Sequence, residues 1–472
     1  MTSEALRDLI LKTQKEKSEC QNLECKAAAK GPPKRLFDTL SSFSNQDCGG
    51  VILFGIDEEK DFSLVGVYDA HDLQAQVVEQ CKQMEPVVRP LFTLVNIDDK
   101  IIVSAEIAGI EITERPCFYK GVGRLKGAYV RSGDADSLMT EYKVYSFEAY
   151  RKNTQEDIRI IERAELADLD SVLLDNYLIK LRLAKPKFTS MPLEDILKLQ
   201  GIAINGKPTI AGLMLFGKFP QAFFPQLAIT AMFANGNDAF EYTGDTRFID
   251  NQRIEGTIPE MLDVALAFVR RNMKISTIVD SQTAKRKDRE EYPLVAIREI
   301  ILNSLVHRDY SIHTTASPVR LIMYRDRLEL ENPGGLYGRM TIDELGKKAA
   351  DTRNEFIALI LEVLIGSENR FTGIPTVRGI MKENDLPEPE FSDKRGQFKV
   401  VLRNSITTTR ENDLIAFCRI PRTRNEIAKY LNVSTQAYAM SKHIQPLIDQ
   451  DILKMTIPQT PKSPKQQYYS KK

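Results

Sequence analysis

The sequence predicts a multi-domain α+β protein, and three observations support this fold class. The chain has 472 residues, which is more than one hydrophobic core usually serves. Hydrophobic residues make up 42% of the chain and charged residues 28%, an ordinary globular composition. Short apolar runs typical of buried strands alternate with segments of helical spacing. Changes in this pattern predict a first domain over residues 1–140, a helical connector over 141–205, a second domain over 206–405 and a third over 406–472.

Charge and hydropathy restrict the possible partners. Lysine plus arginine and aspartate plus glutamate number 65 each, so a nucleic-acid contact depends on local basic patches rather than on net charge. No window approaches the ~18 uninterrupted apolar residues of a membrane-spanning helix, and the N-terminus lacks a signal-peptide pattern. We therefore expect a cytoplasmic protein without membrane contact.

Cysteine and histidine spacing argues against a metal site built from nitrogen and sulfur ligands. The six cysteines never form a CxxC pair, and the four histidines lack the HExxH spacing. Scattered thiols of this kind are typical of a reduced cytosolic protein. A bound metal ion would therefore need carboxylate ligands.

The N-terminal region is predicted to alternate helices with strands. Helical spacing covers residues 1–18 and Lys34–Asn45, and the second helix leads into the turn Gly49-Gly50. The apolar run Val51–Ile56 is short enough for a buried strand, and Lys100–Ile107 has the same character. The first domain is therefore predicted to be mixed α and β.

The connector and second domain are predicted to change from helical to mixed structure. Glu141–Asn205 is charged and helical, Pro208–Lys218 is expected to form strand and turn structure, and Ala284–Glu291 a charged loop. The other predicted elements are a strand over Leu227–Phe233, helices over 257–275 and Leu294–His307, and strands over Val319–Tyr324 and Arg327–Leu330.

The C-terminal region has the element order of a winged helix. Three short helices precede one strand-like run, and the tail after Pro458 is either frayed or a wing strand. The last helix of such a module enters the major groove, and we expect Arg424, Gln436 and Lys442 to contact DNA. Modules of this kind also serve in dimerisation or protein docking. The predicted elements are Glu411–Phe417, Arg424–Leu431, Thr435–Asp449 and Ile452–Ile457.

Three N-terminal carboxylates are candidates for metal binding and catalysis. Glu19 and Glu24 lie five positions apart, and Asp57 follows the strand predicted at Val51–Ile56. Mg²⁺ or Mn²⁺ prefers oxygen ligands and keeps several waters, so two or three carboxylates can hold an ion against a phosphodiester. The same spacing is also typical of solvated surface charge.

A series of short motifs spans the N-terminal domain. They are Ser18-Glu19, Leu23-Glu24-Cys25-Lys26, Ser42-Phe43-Ser44-Asn45, Gly49-Gly50, Gly55-Ile56-Asp57, Val65-Gly66-Val67, Arg115-Pro116 and Ala128-Tyr129-Val130-Arg131-Ser132-Gly133. Their order and spacing resemble the Schlafen AlbA-type domain over about residues 10–140.

This resemblance implies nucleic-acid binding, but it leaves cleavage open. Some members of the family are endoribonucleases that use two glutamates and an aspartate, which fall on Glu19, Glu24 and Asp57. Many bacterial relatives are instead described as DNA-binding regulators. Cys25 departs from the phenylalanine that the family commonly has. The basic residues expected to contact nucleic acid here are Lys26, Lys34, Arg35 and Arg131.

The predicted helix Leu294–His307 carries three polar residues on one face. Glu299, Asn303 and His307 follow one another at intervals of four. The column resembles the N-box of the GHKL ATPases, the superfamily of gyrase and heat-shock protein 90. The resemblance implies that Glu299 positions a water molecule and that Asn303 binds Mg²⁺.

Further segments resemble the divergent ATP-binding domain often found behind an AlbA-type domain. They are Arg298-Glu299, His307-Arg308-Asp309-Tyr310, Asp326-Arg327 and Asn332-Pro333-Gly334-Gly335. Glycine lets the backbone approach a nucleotide closely. A second, incomplete glycine motif contributes Gly373. The resemblance implies that the residues that bind ATP and its Mg²⁺ are Asn303, His307, Asp326, Asn332, Gly334, Gly335 and Gly373.

The predicted nucleotide site departs from the GHKL pattern at two positions, and the chain lacks the other common nucleotide-binding motifs. Asn332 stands where classical members have an adenine-reading aspartate, and Thr372–Pro375 offers one glycine where two are typical. The chain has neither a GxxxxGK[ST] nor a GxGxxG motif. Any nucleotide would therefore bind by the GHKL-like route.

Two functions fit these observations. The first is an ATP-responsive DNA-binding transcriptional regulator, in which DNA is favoured over RNA as the partner and a homo-oligomer remains open. The alternative is a metal-dependent endoribonuclease that uses Glu19, Glu24 and Asp57. An ATP-driven remodeller ranks below both, because the chain lacks the Walker motifs of such enzymes.

Overall fold

The computed structural model divides the chain into two compact units. The first comprises Met1–Glu156, Leu336–Thr341 and Ala350–Arg353, and the second Asp157–Gly335, Ile342–Ala349 and Asn354–Lys472. The structure describes residues 1–236, 248–279, 286–348, 351–366, 373–394, 396–404, 414–431, 433, 435–449, 452–461, 463 and 466–470.

A four-stranded mixed sheet forms the centre of the first unit. Its first two strands pair in parallel and the other neighbours are antiparallel. Side chains alternate between two faces along each strand. Ile52 and Phe54 pack into one core, whereas Leu53 packs into another on the opposite face. The strands, in spatial order, are Leu23–Lys26, Gly50–Phe54, Lys100–Ile107 and Leu91–Ile97.

Helices cover both faces of this sheet. Helix Ser3–Glu16 begins at Thr2, whose hydroxyl oxygen accepts the Ala5 amide, and it contributes Leu6 and Ile10 to one core. The other core receives residues from helices Phe37–Ser44 and Ala70–Lys82. The remaining elements of this unit are helices Arg124–Gly127 and Glu141–Arg151 and the strand pairs Ile56–Asp57 with Ser63–Leu64, Met84–Glu85 with Phe118–Tyr119, and Tyr129–Ser132 with Ala135–Leu138.

Two short segments distant in sequence complete the first unit. The Tyr150 hydroxyl at the end of helix Glu141–Arg151 donates a hydrogen bond of 2.9 Å to Asp351 Oδ2. The ring of Tyr337 packs edge-on against that of Tyr150, with centroids 5.3 Å apart. The Arg353 guanidinium lies 5.0 Å from the centre of the Tyr337 ring. These contacts fasten both segments to the same helix.

A six-stranded sheet forms the centre of the second unit. Strands Ile229–Ala234 and Val319–Met323 pair in parallel, and the other neighbours are antiparallel. Helices Ile258–Asn272 and Leu294–Val306 share one core with the residues that alternate onto one face of the sheet. The strands, in spatial order, are Phe248–Ile254, Ile229–Ala234, Val319–Met323, Arg327–Pro333, Gln397–Arg403 and Glu390–Lys394.

The helices that follow the first unit belong to the same core. Helix Ser171–Ala184 contributes Tyr177 and Leu181 to it, and helix Leu193–Leu199 contributes Ile196. The remaining elements around this core are helices Ile210–Phe216, Pro220–Phe223, Glu355–Ile365 and Gly373–Glu383 and the strand pairs Ala203–Ile204 with Lys207–Pro208 and Ile275–Val279 with Arg286–Glu290.

The C-terminal residues form a core of their own around Ile427, Leu447 and Tyr468. A three-stranded antiparallel sheet lies beside short helices. The helices, after helical residues 414–417, are Arg424–Tyr430, Gln436–Ala439, the π-helical turn Met440–Ile444 and Gln445–Asp449; the strands are Arg422–Thr423, Leu453–Met455 and Gln467–Ser470. Residues 411–413 of the first predicted helix lie outside the described residues.

The prediction of a multi-domain α+β protein is confirmed, but two local predictions are wrong. Pro208–Lys218, expected to be strand and turn, contains helix Ile210–Phe216, which the Thr209 side chain caps by accepting the Gly212 amide. Every residue of this helix is buried, so its apolar positions carry no 3.6-residue period.

The second wrong prediction is the charged loop at Ala284–Glu291. Residues Arg286–Glu290 form a strand that pairs antiparallel with Ile275–Val279. All five residues of this strand are charged, so its sequence lacks the apolar alternation of a half-buried strand. The strand is therefore recognised only from its pairing with Ile275–Val279. In the described part of the chain no helix is long and apolar enough to cross a bilayer.

Candidate functional site

Glu19 and Glu24 meet at one buried arginine in the first unit. Arg131 Nη2 lies 3.4 Å from Glu19 Oε2 and 2.8 Å from Glu24 Oε2, and the Arg131 side chain is 1% exposed. The same nitrogen donates a hydrogen bond of 3.0 Å to the Leu23 carbonyl oxygen. Lys26 forms a further ion pair with Glu24. Strand Leu23–Lys26 therefore presents Glu24 between two cations.

Residues that sequence reasoning missed hold Arg131 in place. Its Nη1 lies 3.1 Å from Asp136 Oδ1, and Asp136 accepts a hydrogen bond of 2.7 Å from the Thr39 hydroxyl and another from the Ser42 hydroxyl. The Phe43 ring lies 5.3 Å from the guanidinium. Ser42 and Phe43 lie within a motif noted above, but no local signal marks Asp136, which reaches Arg131 through the hairpin.

The environment of Glu19 favours its protonated form. Burial raises the pKa of Glu19 to about 7, and the nearby carboxylates of Glu24 and Glu58 act in the same direction. A hydrogen bond of 2.7 Å from the Cys25 amide to Glu19 Oε1 opposes this rise. Glu19 therefore exchanges its proton near neutral pH.

Asp57 takes part in a different ion pair. Its Oδ2 lies 2.8 Å from Lys60 Nζ, and the hydrogen bond from this lysine lowers the pKa of Asp57. Within the described ranges, no group of three or more His, Cys, Asp or Glu side chains could hold a metal ion. The structure thus brings Glu19 and Glu24 together at Arg131, whereas Asp57 pairs with Lys60, and metal binding by these three carboxylates stays a prediction.

The other predicted cations of this unit lie at its surface. Lys34 and Arg35 are exposed just before helix Phe37–Ser44. Arg35 Nη2 pairs with Asp38 at 2.8 Å and donates a hydrogen bond of 3.1 Å to the Tyr129 hydroxyl. Arg131 lies on the same strand as Tyr129, so the buried and exposed arginines flank one hairpin.

In the second unit, helix Leu294–Val306 brings Glu299 and Asn303 against a glycine. Its apolar residues face the sheet, whereas Glu299 and Asn303 are half-buried. A Cβ atom added to Gly373 would lie 3.1 Å from Asn303 Nδ2 and 3.2 Å from Glu299 Oε2. The backbone at the start of helix Gly373–Glu383 therefore approaches both side chains in a way that only glycine allows without displacement. Thr372, the preceding residue of the predicted glycine box, lies outside the described residues.

The turn after strand Arg327–Pro333 adjoins the C-terminal end of helix Leu294–Val306. The Asp309 amide donates a hydrogen bond of 3.1 Å to the Pro333 carbonyl oxygen. Gly334 has φ +103°, and its amide donates to the Gly396 carbonyl oxygen at 2.9 Å. This turn carries the Gly334-Gly335 pair predicted to approach a nucleotide.

Three further predicted residues have distinct surroundings. A Cβ atom on Gly335 would lie 2.6 Å from Asp393 Oδ1, so a larger residue at this position would displace the Asp393 carboxylate. Asn332 is buried, and its Oδ1 has no hydrogen-bond partner in the described part of the chain. The His307 amide ends the helix by donating to the Asn303 carbonyl oxygen at 2.9 Å.

Asp326 lies at the other end of the strand. Strand Arg327–Pro333 has seven residues, which separates Asp326 from the Gly334 turn by about 20 Å at the usual rise per residue. Asp326 pairs with Arg327 at 2.9 Å and with Arg403 at 3.6 Å. The structure therefore does not bring Asp326 to the other predicted nucleotide contacts.

The C-terminal candidates differ in exposure. Arg424 Nε donates a hydrogen bond of 2.8 Å to the Tyr468 hydroxyl, so part of this guanidinium supports the local fold. Gln436 is exposed at the start of its helix. The side chain of Lys442 lies outside the described residues.

Comparison with known families assigns the N-terminal domain. Residues 19–140 match the family described as Schlafen, AlbA_2. The chain carries a Schlafen AlbA_2 domain. This match includes Glu19, Glu24, Asp57 and Arg131 and confirms the resemblance inferred from the short motifs.

Three further families match the chain behind the AlbA_2 domain. Residues 316–402 match HATPase_c_4, described as "Putative ATP-dependent DNA helicase recG C-terminal", which confirms the predicted likeness to an ATP-binding domain. This match includes the Gly334 turn and Gly373 but begins after Glu299 and Asn303. Residues 146–230 match a domain of unknown function, DUF8451, and residues 413–469 match the "Filamentation induced by cAMP protein Fic-like, C-terminal domain".

Two solved structures are similar to this chain. The DIP2311 protein from Corynebacterium diphtheriae is 17% identical, with 88% of this chain and 86% of that chain covered and a TM-score of 0.41. The N-terminal domain of a "Putative ATP-dependent DNA Helicase RecG-related Protein" from Nitrosomonas europaea is 24% identical, with 29% of this chain and 94% of that chain covered and a TM-score of 0.23. No curated protein matches the chain.

Proposed function

We propose that this protein is a nucleic-acid-binding regulator that responds to ATP, with DNA as its principal partner. The AlbA_2 domain and the C-terminal module would contact nucleic acid, and the second unit would bind the nucleotide. The observation that carries the proposal is the close approach of Gly373 to Glu299 and Asn303. A half-buried site lined by glycine suits a ligand that needs close backbone approach.

The residues of the second unit have separate roles in this proposal. The Asn303 carboxamide oxygen would hold the Mg²⁺ that accompanies ATP, and this ion would neutralise phosphate charge when bound. Glu299 lies one helical turn earlier and would orient a water molecule. The backbones of Gly334 and Gly373 would exclude bulk solvent from the phosphates. Asn332, with its buried unpaired Oδ1, would accept a hydrogen bond from the base.

The AlbA_2 domain would contribute phosphate contacts. Arg131 is already neutralised by Glu19, Glu24 and Asp136, so it would orient the surface rather than bind phosphate itself. Lys34 and Arg35 are exposed and would contact the phosphates. The C-terminal helices and sheet have the element order of a winged helix, in which Gln436 would face a base edge.

Binding assays on the full chain test the proposal. Labelled duplex DNA and labelled ATP with Mg²⁺ are each titrated with the wild type and with Asn303→Ala. We expect Asn303→Ala to lose ATP affinity while it keeps DNA affinity, because the asparagine lies far along the chain from the AlbA_2 domain. Asn384→Ala, at an exposed asparagine that follows helix Gly373–Glu383 and donates a side-chain hydrogen bond to the Ile380 carbonyl oxygen, is the matched control. Equal ATP binding by Asn303→Ala and the control would contradict the assignment.

The alternative function is an endoribonuclease built on Glu19, Glu24 and Asp57, and the pKa of about 7 at Glu19 favours it. A carboxyl group that titrates near neutral pH can transfer protons in acid–base catalysis. Labelled tRNA and duplex DNA are incubated with the protein in Mg²⁺ or Mn²⁺ and then in EDTA, beside Glu24→Ala. Metal-dependent RNA cleavage that Glu24→Ala abolishes would favour the endoribonuclease over the DNA-binding regulator. Intact RNA together with retained DNA binding would favour the regulator.

A further inference from the structure

Helix Ser171–Ala184 is apolar on two opposite sides. Tyr177, Leu178 and Leu181 are buried in the core of the second unit. On the other side, Val172, Ile179 and Leu183 are 67%, 57% and 79% exposed. A surface helix normally has one apolar stripe and a polar opposite face, so the second stripe needs an explanation.

These three exposed residues form a continuous line. They occur at intervals of seven and four, which places them within about 40° of one another around a helix of 3.6 residues per turn. The same geometry places them about half a turn from the buried residues. Scattered exposed apolar residues are normal, but an aligned set marks an interaction surface. We call Val172, Asn176, Ile179 and Leu183 the outer stripe.

The charges beside the outer stripe are self-complementary. Asp175 and Arg182 lie on the same flank, seven residues apart and opposite in sign. A two-fold axis perpendicular to the helix pairs Asp175 of each copy with Arg182 of the other and brings Val172 over Leu183. In a parallel pair, Asp175 would instead need Lys180, whose ammonium already donates a hydrogen bond of 2.8 Å to the Leu364 carbonyl oxygen.

We propose that the outer stripe is the interface of a two-fold symmetric, antiparallel homodimer. The helix is about 21 Å long at 1.5 Å per residue, so the stripe alone covers less than the ~800 Å² per partner of a standard stable complex. The dimer therefore dissociates in the micromolar range rather than the nanomolar range. This inference does not depend on the nucleic-acid or nucleotide function proposed above.

Sedimentation equilibrium of the full chain over about 1–200 µM tests the proposal, since this range brackets a micromolar dissociation constant. The wild type is expected to be a concentration-dependent dimer, and Leu183→Lys to weaken association at least about tenfold by placing a cation in the stripe. Leu183 is almost fully exposed, so this substitution leaves the core intact. Ile249→Lys, at a residue 54% exposed on strand Phe248–Ile254, is the matched control and should associate as the wild type does. A monomeric wild type, or a dimer that Leu183→Lys leaves unchanged, would overturn the proposal.

Charge reversal tests the antiparallel pairing separately. Asp175→Arg opposes like charges at both ends of the interface and should weaken the dimer. Adding Arg182→Asp to the same chain restores opposite charges and should restore association. If the double variant associates no better than Asp175→Arg alone, the antiparallel pairing is wrong.

Discussion

The two candidate sites of this protein are built in opposite ways. In the AlbA_2 domain, Arg131 pairs with Glu19, Glu24 and Asp136 in a buried network. In the second unit, glycine backbone rather than charge shapes the site, and Glu299 and Asn303 remain half-buried beside Gly373. The comparison teaches that the first site depends on electrostatic balance, whereas the second depends on the absence of side-chain volume. Substitutions that disturb charge should therefore act on the first site, and those that add volume on the second.

The largest effect is expected when the buried cation of the network is removed. Arg131→Met leaves Glu19, Glu24 and Asp136 without their shared partner, and breaking such a buried pair costs about 3–5 kcal/mol. Chemical denaturation followed by circular dichroism measures this loss in the free energy of unfolding. Arg35→Met removes an exposed arginine and should cost about 1 kcal/mol or less. Equal losses for the two variants would show that the network does not stabilise the domain.

A methyl group at Gly373 should disturb the second site without disturbing charge. Gly373→Ala places a Cβ atom 3.1 Å from Asn303 Nδ2 and 3.2 Å from Glu299 Oε2, so both side chains must shift. We expect ATP affinity to fall about tenfold, or about 1.4 kcal/mol. Gly379→Ala adds the same methyl group on the same helix with nothing within 4 Å, and it should leave affinity unchanged. Titration of a fluorescent ATP analogue measures the affinity of both variants. If both bind it as the wild type does, Gly373 does not lie at the ATP site.

A dependence of stability on pH should arise in the first site. Burial raises the pKa of Glu19 to about 7 from its ordinary 4.5, so the folded state binds this proton more tightly than the unfolded state does. The free energy of unfolding therefore falls as pH rises from about 4.5 to about 7, and above pH 7 Glu19 adds no further pH dependence.

Glu19→Gln provides the control for this pH dependence. The amide keeps the shape of the carboxyl group but does not titrate, so the part of the slope that Glu19 contributes should disappear. Urea denaturation at several pH values gives both curves. Parallel curves for the wild type and Glu19→Gln would mean that Glu19 does not titrate in this range.

The smallest effect is expected at the exposed cations of the AlbA_2 domain. Lys34→Ala removes one proposed phosphate contact, which should weaken binding to all duplex sequences alike and reduce the dependence of log affinity on log salt by about one unit. Fluorescence anisotropy at several salt concentrations measures this slope. Lys12→Ala, at an exposed lysine paired with Glu16 on helix Ser3–Glu16, is the control. If the slope of log affinity against log salt is unchanged in Lys34→Ala, Lys34 does not contact the nucleic acid.

The sequence predicted the parts of these sites that local pattern determines. Glu19 and Glu24 lie five positions apart, and Glu299 and Asn303 share a helical face, so the members of each pair are close in sequence. Strand Lys100–Ile107 was predicted with the bounds that the structure has. These features depend on residues close in sequence, where periodicity carries the information.

The parts that the sequence could not predict depend on distant residues. Asp136 reaches Arg131 only because the hairpin Tyr129–Leu138 folds against helix Phe37–Ser44. The strand predicted at Arg327–Leu330 continues to Pro333, which separates Asp326 from the turn at Gly334. The roles assigned to individual site residues, including metal binding by Glu19, Glu24 and Asp57, stay predictions until the binding and cleavage assays are done.

The discontinuity of the first unit has a practical consequence for anyone who isolates that unit. A fragment that ends at Glu156 lacks Leu336–Thr341 and Ala350–Arg353, and so removes the aspartate that Tyr150 bonds and the ring that packs against it. Such a fragment would expose an aromatic surface near its new C-terminus and would be more prone to proteolysis and aggregation than the same residues in the intact chain. Joining the two missing segments back through a short flexible linker would be the more faithful way to express this domain alone.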